Sequence, residues 1–273
     1  MNFIELLKSL LLGIVEGITE WLPISSTGHM ILVNEFIGNK GFTSDDLYLY
    51  VIQLGAILAV VTLYFHKLNP FSKKKTAAQK KDTWQMWFKV VIACLPAAVI
   101  GLALNDYMEK FENWLVVSAT LIIYGIAFIY IENRKNKVCI DSINKLTYKT
   151  ALLIGAFQVL SIIPGTSRSG STILGAIIIG CSRAVAAEFS FFLAIPVMFG
   201  VSFLKIITSD VVMNAENIII LLTGMAVAYG VSMASIKFLV DYVKKHDFKL
   251  FGKYRIVLGL IVILFFTLKG LVF

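Results

Sequence analysis

Residues 16–29 read EGITEWLPISSTGH. Two carboxylates, three consecutive hydroxyl side chains and a histidine crowd into a stretch flanked by strongly apolar chain. A second stretch, PGTSRSG at residues 164–170, repeats the mixture of proline, glycine and hydroxyl residues and adds an arginine. These two breaks decide the fold. Lipid offers no hydrogen-bond partner to irregular backbone, so a broken helix is tolerated at membrane depth only where it is buried in protein or lines a wet cavity.

Outward from these breaks the chain is apolar almost throughout. Of its 273 residues, 58% are hydrophobic and only 15% charged, far from the composition of a soluble domain. The expected class is an all-α polytopic membrane protein, one integral domain over 1–273. The opening MNFIELLKSLLLGIVEG lacks the basic start and small-residue cleavage site of a signal peptide, and reads as part of the mature chain. Cys94, Cys139 and Cys181 are too few and too scattered for a disulfide framework or a zinc site. The net charge of +8 sits in a few short loops, which argues against nucleic acid as a partner. Membrane lipids are the expected surroundings, and the reading leaves room for a homodimer.

Apolar runs of near-spanning length fall at about 47–65, 89–104, 114–131, 187–206, 218–239 and 256–272, against the ~20 residues a crossing helix needs. The segments 3–37 and 150–180 are also apolar but broken near their middles. Residues 66–89 carry seven lysines against one acid, and 132–149 and 241–255 each carry five basic and two acidic residues. The alternate loops 33–46, 105–113 and 205–217 each hold one lysine and two or three acids. Basic loops stay in the cytoplasm, so the first set is expected inside and the second outside. Segment 150–180 then begins and ends inside, as a re-entrant hairpin. By analogy 3–37 enters from outside and leaves the N-terminus external.

An ungapped shift of 142 residues superimposes the two broken segments. Gly13 falls on Gly155, Glu16 on Gln158, Ser25 on Ser167, Thr27 on Ser169, Gly28 on Gly170 and Asp46 on Glu188. Two pseudo-repeats, 1–141 and 142–273, follow, each one hairpin plus three spans. Three spans reverse the chain, so the halves are expected to be inverted, with their broken helices meeting near the midplane.

The chemistry is lopsided between the halves. Glu16 and Glu20, four apart, share one helix face and suggest a hard cation, Mg²⁺ or Ca²⁺, bound through oxygen. Intramembrane carboxylates are costly and tend to be functional. His29 follows the hydroxyl run and suits a base, acid or nucleophile; three residues beyond Ser26, it lies within plausible reach of that hydroxyl. Arg168 offers a planar fork for phosphate oxygens, the alternative being a purely structural bridge to Glu20. Ser25, Thr27, Gly28, Ser167, Ser169 and Gly170 would add hydroxyl and backbone donors at helix N-termini, where anions bind readily. Hairpin one holds the acids and the histidine, whereas hairpin two has Arg168 where hairpin one has Ser26. One composite site for an anionic, phosphorylated ligand fits better than two equivalent ones. A transporter coupling ions through the same acids is the rival class.

At these residues the sequence resembles the undecaprenyl pyrophosphate phosphatase family linked with bacitracin resistance. EGITEWLPISSTGH and PGTSRSG resemble its two signature motifs, and VIQLGAILAVV (51–61) and SRAVAAEFSFFLAIP (182–196) are similar to it as well. The resemblance implies removal of the terminal phosphate of a polyprenyl diphosphate lipid, undecaprenyl diphosphate. It further implies a site open to the outer face of the bacterial cytoplasmic membrane, a divalent cation, and two hairpins plus six spans. Glu16, Glu20, Ser26, His29 and Arg168 match the family's functional positions. Ser26, His29 or a water remain as candidate nucleophiles, and a flippase for the lipid product stays open.

Overall fold

The structure, a computed structural model, describes residues 2–38, 40–109, 111, 113–134 and 138–272. Eleven α-helices carry the fold among them: α1 Phe3–Thr19, α2 Ser26–Ile37, α3 Asp46–Leu63, α4 Phe65–Leu68, α5 Ala77–Glu109, α6 Trp114–Asn133, α7 Tyr148–Val159, α8 Arg168–Ile179, α9 Arg183–Thr208, α10 Ala215–Val243 and α11 Lys249–Val272. No strand occurs among the described residues; a single bridge ties Ile140 to Cys181 at the base of α8. Six helices (α3, α5, α6, α9, α10 and α11) are long and apolar enough to cross a membrane, matching the six expected runs. Both broken segments are helical hairpins, α1–α2 and α7–α8.

The starts of these helices are written in short polar side chains. Asn2, Asp45, Asn113, Thr147, Ser182 and Asn214 each accept a hydrogen bond from the first-turn amides of the helix that follows, satisfying donors that an α-helix leaves open. The expected boundaries were too narrow for two spans above all: the run at 256–272 begins at Lys249, and the run at 89–104 is wider still. The run at 89–104 is the middle of the 33-residue α5, about 50 Å at 1.5 Å per residue. Its polar first turns lie within the lysine-rich segment and are set by a reciprocal cap. The Thr76 hydroxyl accepts from the Gln79 amide, and the Gln79 carboxamide accepts from the Thr76 amide. Loop 105–113 is correspondingly short, and its residues 110 and 112 lie outside the described residues.

Glycines bring the helices together. α1 and α10 run parallel: Ser9 donates to the Ile220 carbonyl, Gly13 lies on the Gly224 carbonyl and Gly17 on that of Ala228. A side chain at Gly55 would sit 2.2 Å from the Met225 carbonyl oxygen, and one at Gly155 2.1 Å from that of Ala93, so α3 closes on α10 and α7 on α5. α6 and α11 are antiparallel, with Gly125 against Gly252, Trp114 on Phe266 at one end and Phe128 on Phe248 at the other. Small residues with close backbone approach are how helices pack where lipid removes the hydrophobic drive. α3 and α9 are antiparallel too, pinned at one end by Asp46–Lys205 (3.0 Å) and at the other by Glu188–Lys67 (2.5 Å).

Candidate active site

The two hairpin turns meet inside this bundle. Each helix after a turn begins from a serine in the left-handed region, Ser25 at φ 73° and Ser167 at φ 72°. A non-glycine residue there is unusual and strained. Each serine caps its own helix: the Ser25 hydroxyl accepts from the Gly28 amide (3.3 Å) and the Ser167 hydroxyl from the Gly170 amide (3.1 Å). Four of the expected ligand-binding residues therefore spend these groups on shaping the turns.

Arg168, at the first position of α8, reaches across to the end of α1. Its Nη2 donates to Glu20 Oε1 at 2.9 Å, and its Nη1 donates to the Ser190 carbonyl at 2.9 Å. The other Glu20 oxygen accepts from the Ser26 hydroxyl at 2.8 Å. The Arg168–Glu20 bridge considered as a structural alternative is thus present, and it carries a hydroxyl on its far side. Ser169 binds the tips together, its hydroxyl lying 3.1 Å from the Glu20 carbonyl and 3.3 Å from that of Leu22. Thr27 is half-buried and finds no hydrogen-bond partner among the described residues.

His29 stands differently from its expected place. Nδ1 lies 2.7 Å from the Ser25 carbonyl and can only donate to it. Nε2 lies 2.7 Å from the Tyr254 hydroxyl, with the two rings stacked at 5.6 Å. A neutral imidazole in this tautomer accepts the tyrosine proton at Nε2. The Ser26–His29 hydrogen bond that the spacing allowed is absent among the described residues; Ser26 is turned to Glu20. Both ring nitrogens of His29 are taken instead, by the Ser25 carbonyl one turn back and by the Tyr254 hydroxyl.

Glu16, one turn before Glu20, is buried, and its Oε1 has no protein partner. Gln158, its counterpart under the 142-residue shift, is buried with both amide atoms unpartnered. No cluster of three histidine, cysteine or acidic residues occurs among the described residues. Mg²⁺ and Ca²⁺ do not need one: carbonyl, phosphate and water oxygens complete their shells. An oxygen-only pair with one carboxylate oxygen unengaged fits a hard cation shared with a phosphate, Glu16 being the freer ligand and Glu20 the second.

Sequence reasoning missed Arg255 and Tyr254. Both had been counted with the basic loop 241–255, but α11 starts at Lys249 and carries them to the depth of the tips. Arg255 is fully buried. Its Nη1 donates to the Pro23 carbonyl (3.2 Å), and its Nη2 to the carbonyls of Gly165 (2.9 Å) and Thr166 (3.0 Å). One guanidinium therefore holds both turns. The available signal was its position at the edge of the last apolar run, where a charge can belong to the loop or to the interior.

The chain is similar to known proteins over nearly its whole length. The family model described as Bacitracin resistance protein BacA matches residues 9–261. The chain is 60% identical over 272 residues to an undecaprenyl-diphosphatase of Enterococcus faecalis, covering 96% of this chain and 98% of that one. It is 59% identical over 268 residues to an undecaprenyl-diphosphatase of Acetivibrio thermocellus, with 96% and 98% covered. To that of Limosilactobacillus fermentum it is 57% identical over 272 residues, with 97% and 99% covered. With both hairpin tips and the first half of α11 inside the matched region, the chain belongs to the BacA family of bacitracin resistance proteins.

Proposed function

We propose that the protein hydrolyses undecaprenyl diphosphate to undecaprenyl phosphate at the outer face of the bacterial cytoplasmic membrane, returning the lipid carrier to cell-wall synthesis. The observation that carries this reading is the Arg168–Glu20–Ser26 relay across the two hairpin tips, a hydroxyl hydrogen-bonded to a carboxylate that a guanidinium holds in place. Phosphoryl transfer asks mainly for positioning and charge neutralisation, and this group supplies both along with an activated nucleophile.

In the proposed reaction Ser26 Oγ attacks the terminal phosphorus while its proton passes to Glu20 Oε2. The Oγ–P bond forms as the bond from the terminal phosphorus to the bridging oxygen breaks. That oxygen leaves with the electron pair as part of the monophosphate and takes up the proton from Glu20. Water then attacks the phosphoserine and gives its proton to Glu20, and the phosphate departs as Ser26 recovers a proton. Arg168 orients the transferred phosphoryl group through its planar fork. His29 donates to the Ser25 carbonyl through Nδ1 and accepts from the Tyr254 hydroxyl at Nε2, which fixes the turn beside Ser26. A divalent cation held by Glu16 and Glu20 would neutralise part of the diphosphate charge.

We further propose that 1–141 and 142–273 are inverted repeats. The antiparallel pairs α3/α9 and α6/α11 support it, because each pair joins elements that correspond under the 142-residue shift. α1 on α10 and α7 on α5 are likewise equivalent pairings.

Release of inorganic phosphate from undecaprenyl diphosphate by the purified protein in detergent tests the activity, since transport has no meaning without a closed membrane. A protein that binds the lipid but releases no phosphate under any divalent cation would favour a transporter or flippase.

A further inference from the structure

At the lysine-rich end of the bundle, away from the hairpin tips, lies a cavity of about 430 Å³ between the α4 turn, residues 69–76 and the start of α5. Lys67, Lys74 and Lys75 line it, and Asp82 is the one carboxylate among its described lining residues. Lys67 is neutralised by Glu188 at 2.5 Å. Lys75 is held by neutral acceptors only, the Lys67 carbonyl at 3.0 Å and the Thr83 hydroxyl at 2.6 Å. Beneath the floor, Lys89 is 6% exposed and reaches only the carbonyls of Ile143 (3.5 Å) and Asn144 (3.4 Å). Among the described residues no carboxylate pairs with Lys74, Lys75 or Lys89. A buried Lys89 and a half-buried Lys75 without an ion-paired carboxylate are costly, and with the exposed Lys74 beside them they call for an anion.

Rings on the adjoining surface, which do not line the cavity itself, indicate which anion. Phe71, Phe88 and Trp84 are 75%, 57% and 44% exposed, and the Trp84 ring contacts those of Phe71 and Phe88. Exposed aromatic rings beside lysines mark the headgroup level of a membrane, and basic pockets between spans at a cytoplasmic face suit phosphate headgroups. We propose that this cavity binds the headgroup phosphate of an anionic phospholipid. Lys74 and Lys75 contact the phosphate, Lys89 supplies charge from below, and the rings receive the upper acyl chain. The site is separate from the hairpin tips and does not depend on the activity proposed above.

The test is lipid binding by the purified full chain in neutral detergent, read by native mass spectrometry. Phosphatidylglycerol is titrated against phosphatidylcholine. The wild type is expected to retain phosphatidylglycerol selectively. Lys74→Gln/Lys75→Gln should weaken it about tenfold or more, at a few-fold per basic residue near a membrane surface, with phosphatidylcholine unchanged. Lys74→Glu, a change at an exposed side chain, should weaken it in the same direction if the double variant proves unstable. Lys244→Gln/Lys245→Gln removes the same charge from the turn after α10 and should stay within about twofold of the wild type on that basis. Unchanged phosphatidylglycerol binding in the pocket variants, or equal loss in the control, would overturn the proposal. So would full displacement of the lipid by inorganic phosphate at about millimolar concentration, since headgroup charge is only part of the lipid's hold and such displacement would mark a free-anion site.

Discussion

The residue that organises the chemistry is Glu20, which faces a cation on one oxygen and a hydroxyl on the other. Glu20→Gln replaces one of those acceptors with a donor, so it should lower phosphate release by about 10²–10⁴-fold, the range typical of a lost general base. Ser26→Ala should be at least as damaging. The two changes combined should be little worse than either alone, because residues acting as one unit are not additive. Multiplicative losses in the double variant would break the proposed pair. Tyr254→Phe keeps the ring stacked on His29 and removes one hydrogen bond, so a drop of a few-fold to tenfold in turnover is expected from ~1 kcal/mol. Unchanged turnover would make the His29–Tyr254 contact idle. Arg168→Lys should lose most activity although the charge is kept, since an ammonium cannot hold Glu20, the Ser190 carbonyl and a phosphate in one plane; near-normal turnover would reduce Arg168 to a general electrostatic contact. The sequence brought Glu16, Glu20, Ser26, His29 and Arg168 forward because polar groups in lipid are conspicuous. It could not pair them. Spacing places Ser26 as near His29 as Glu20, and only the cap geometry at Ser25 shows which way each side chain turns.

At the scale of the helices, glycine seams and one buried guanidinium do the joining. Gly155→Val should destabilise strongly, since even a Cβ would press within 2.1 Å of the Ala93 carbonyl oxygen. Overpacking costs about 1–3 kcal/mol and sometimes more, and a lowered thermal midpoint in detergent would register it. Gly200 and Gly230 have open space around them, and Gly200→Ala should leave the midpoint unchanged. The six spans and two hairpins were legible because apolar length and prolines are strong local signals. The ends of α5 and α11 were not. Their polar turns continue the helix beyond the hydrocarbon, where a lysine reads equally well as loop. Arg255 was lost for that reason: its meaning depends on three carbonyls contributed by segments about 90 and 230 residues away.

At the scale of the whole chain, the packing sets the starts of α1 and α10 at one end of the bundle, the end that the loop charges place outside. The Asn2 amide donates to Glu216, so the start of α1 lies beside the acidic loop preceding α10. In a variant lacking Cys94, Cys139 and Cys181, Val212→Cys should react with an impermeant thiol reagent added to intact cells, and Lys73→Cys should react only after lysis. The reverse pattern would invert the topology. The two hairpins also differ in how deeply their second helices are sunk. In α8 nine residues from Ser169 to Ile177 are buried. In α2 only Gly28 and Met30 are, and the rest of that helix is half-buried or open. The duplicated architecture has therefore become a wall on one side and a doorway on the other. A prenyl chain tens of carbons long cannot thread through glycine seams to deliver its headgroup. On the function proposed above, it would remain in the bilayer and slide in sideways along α2, so that only the diphosphate leaves the lipid phase and the hydrocarbon never has to be solvated.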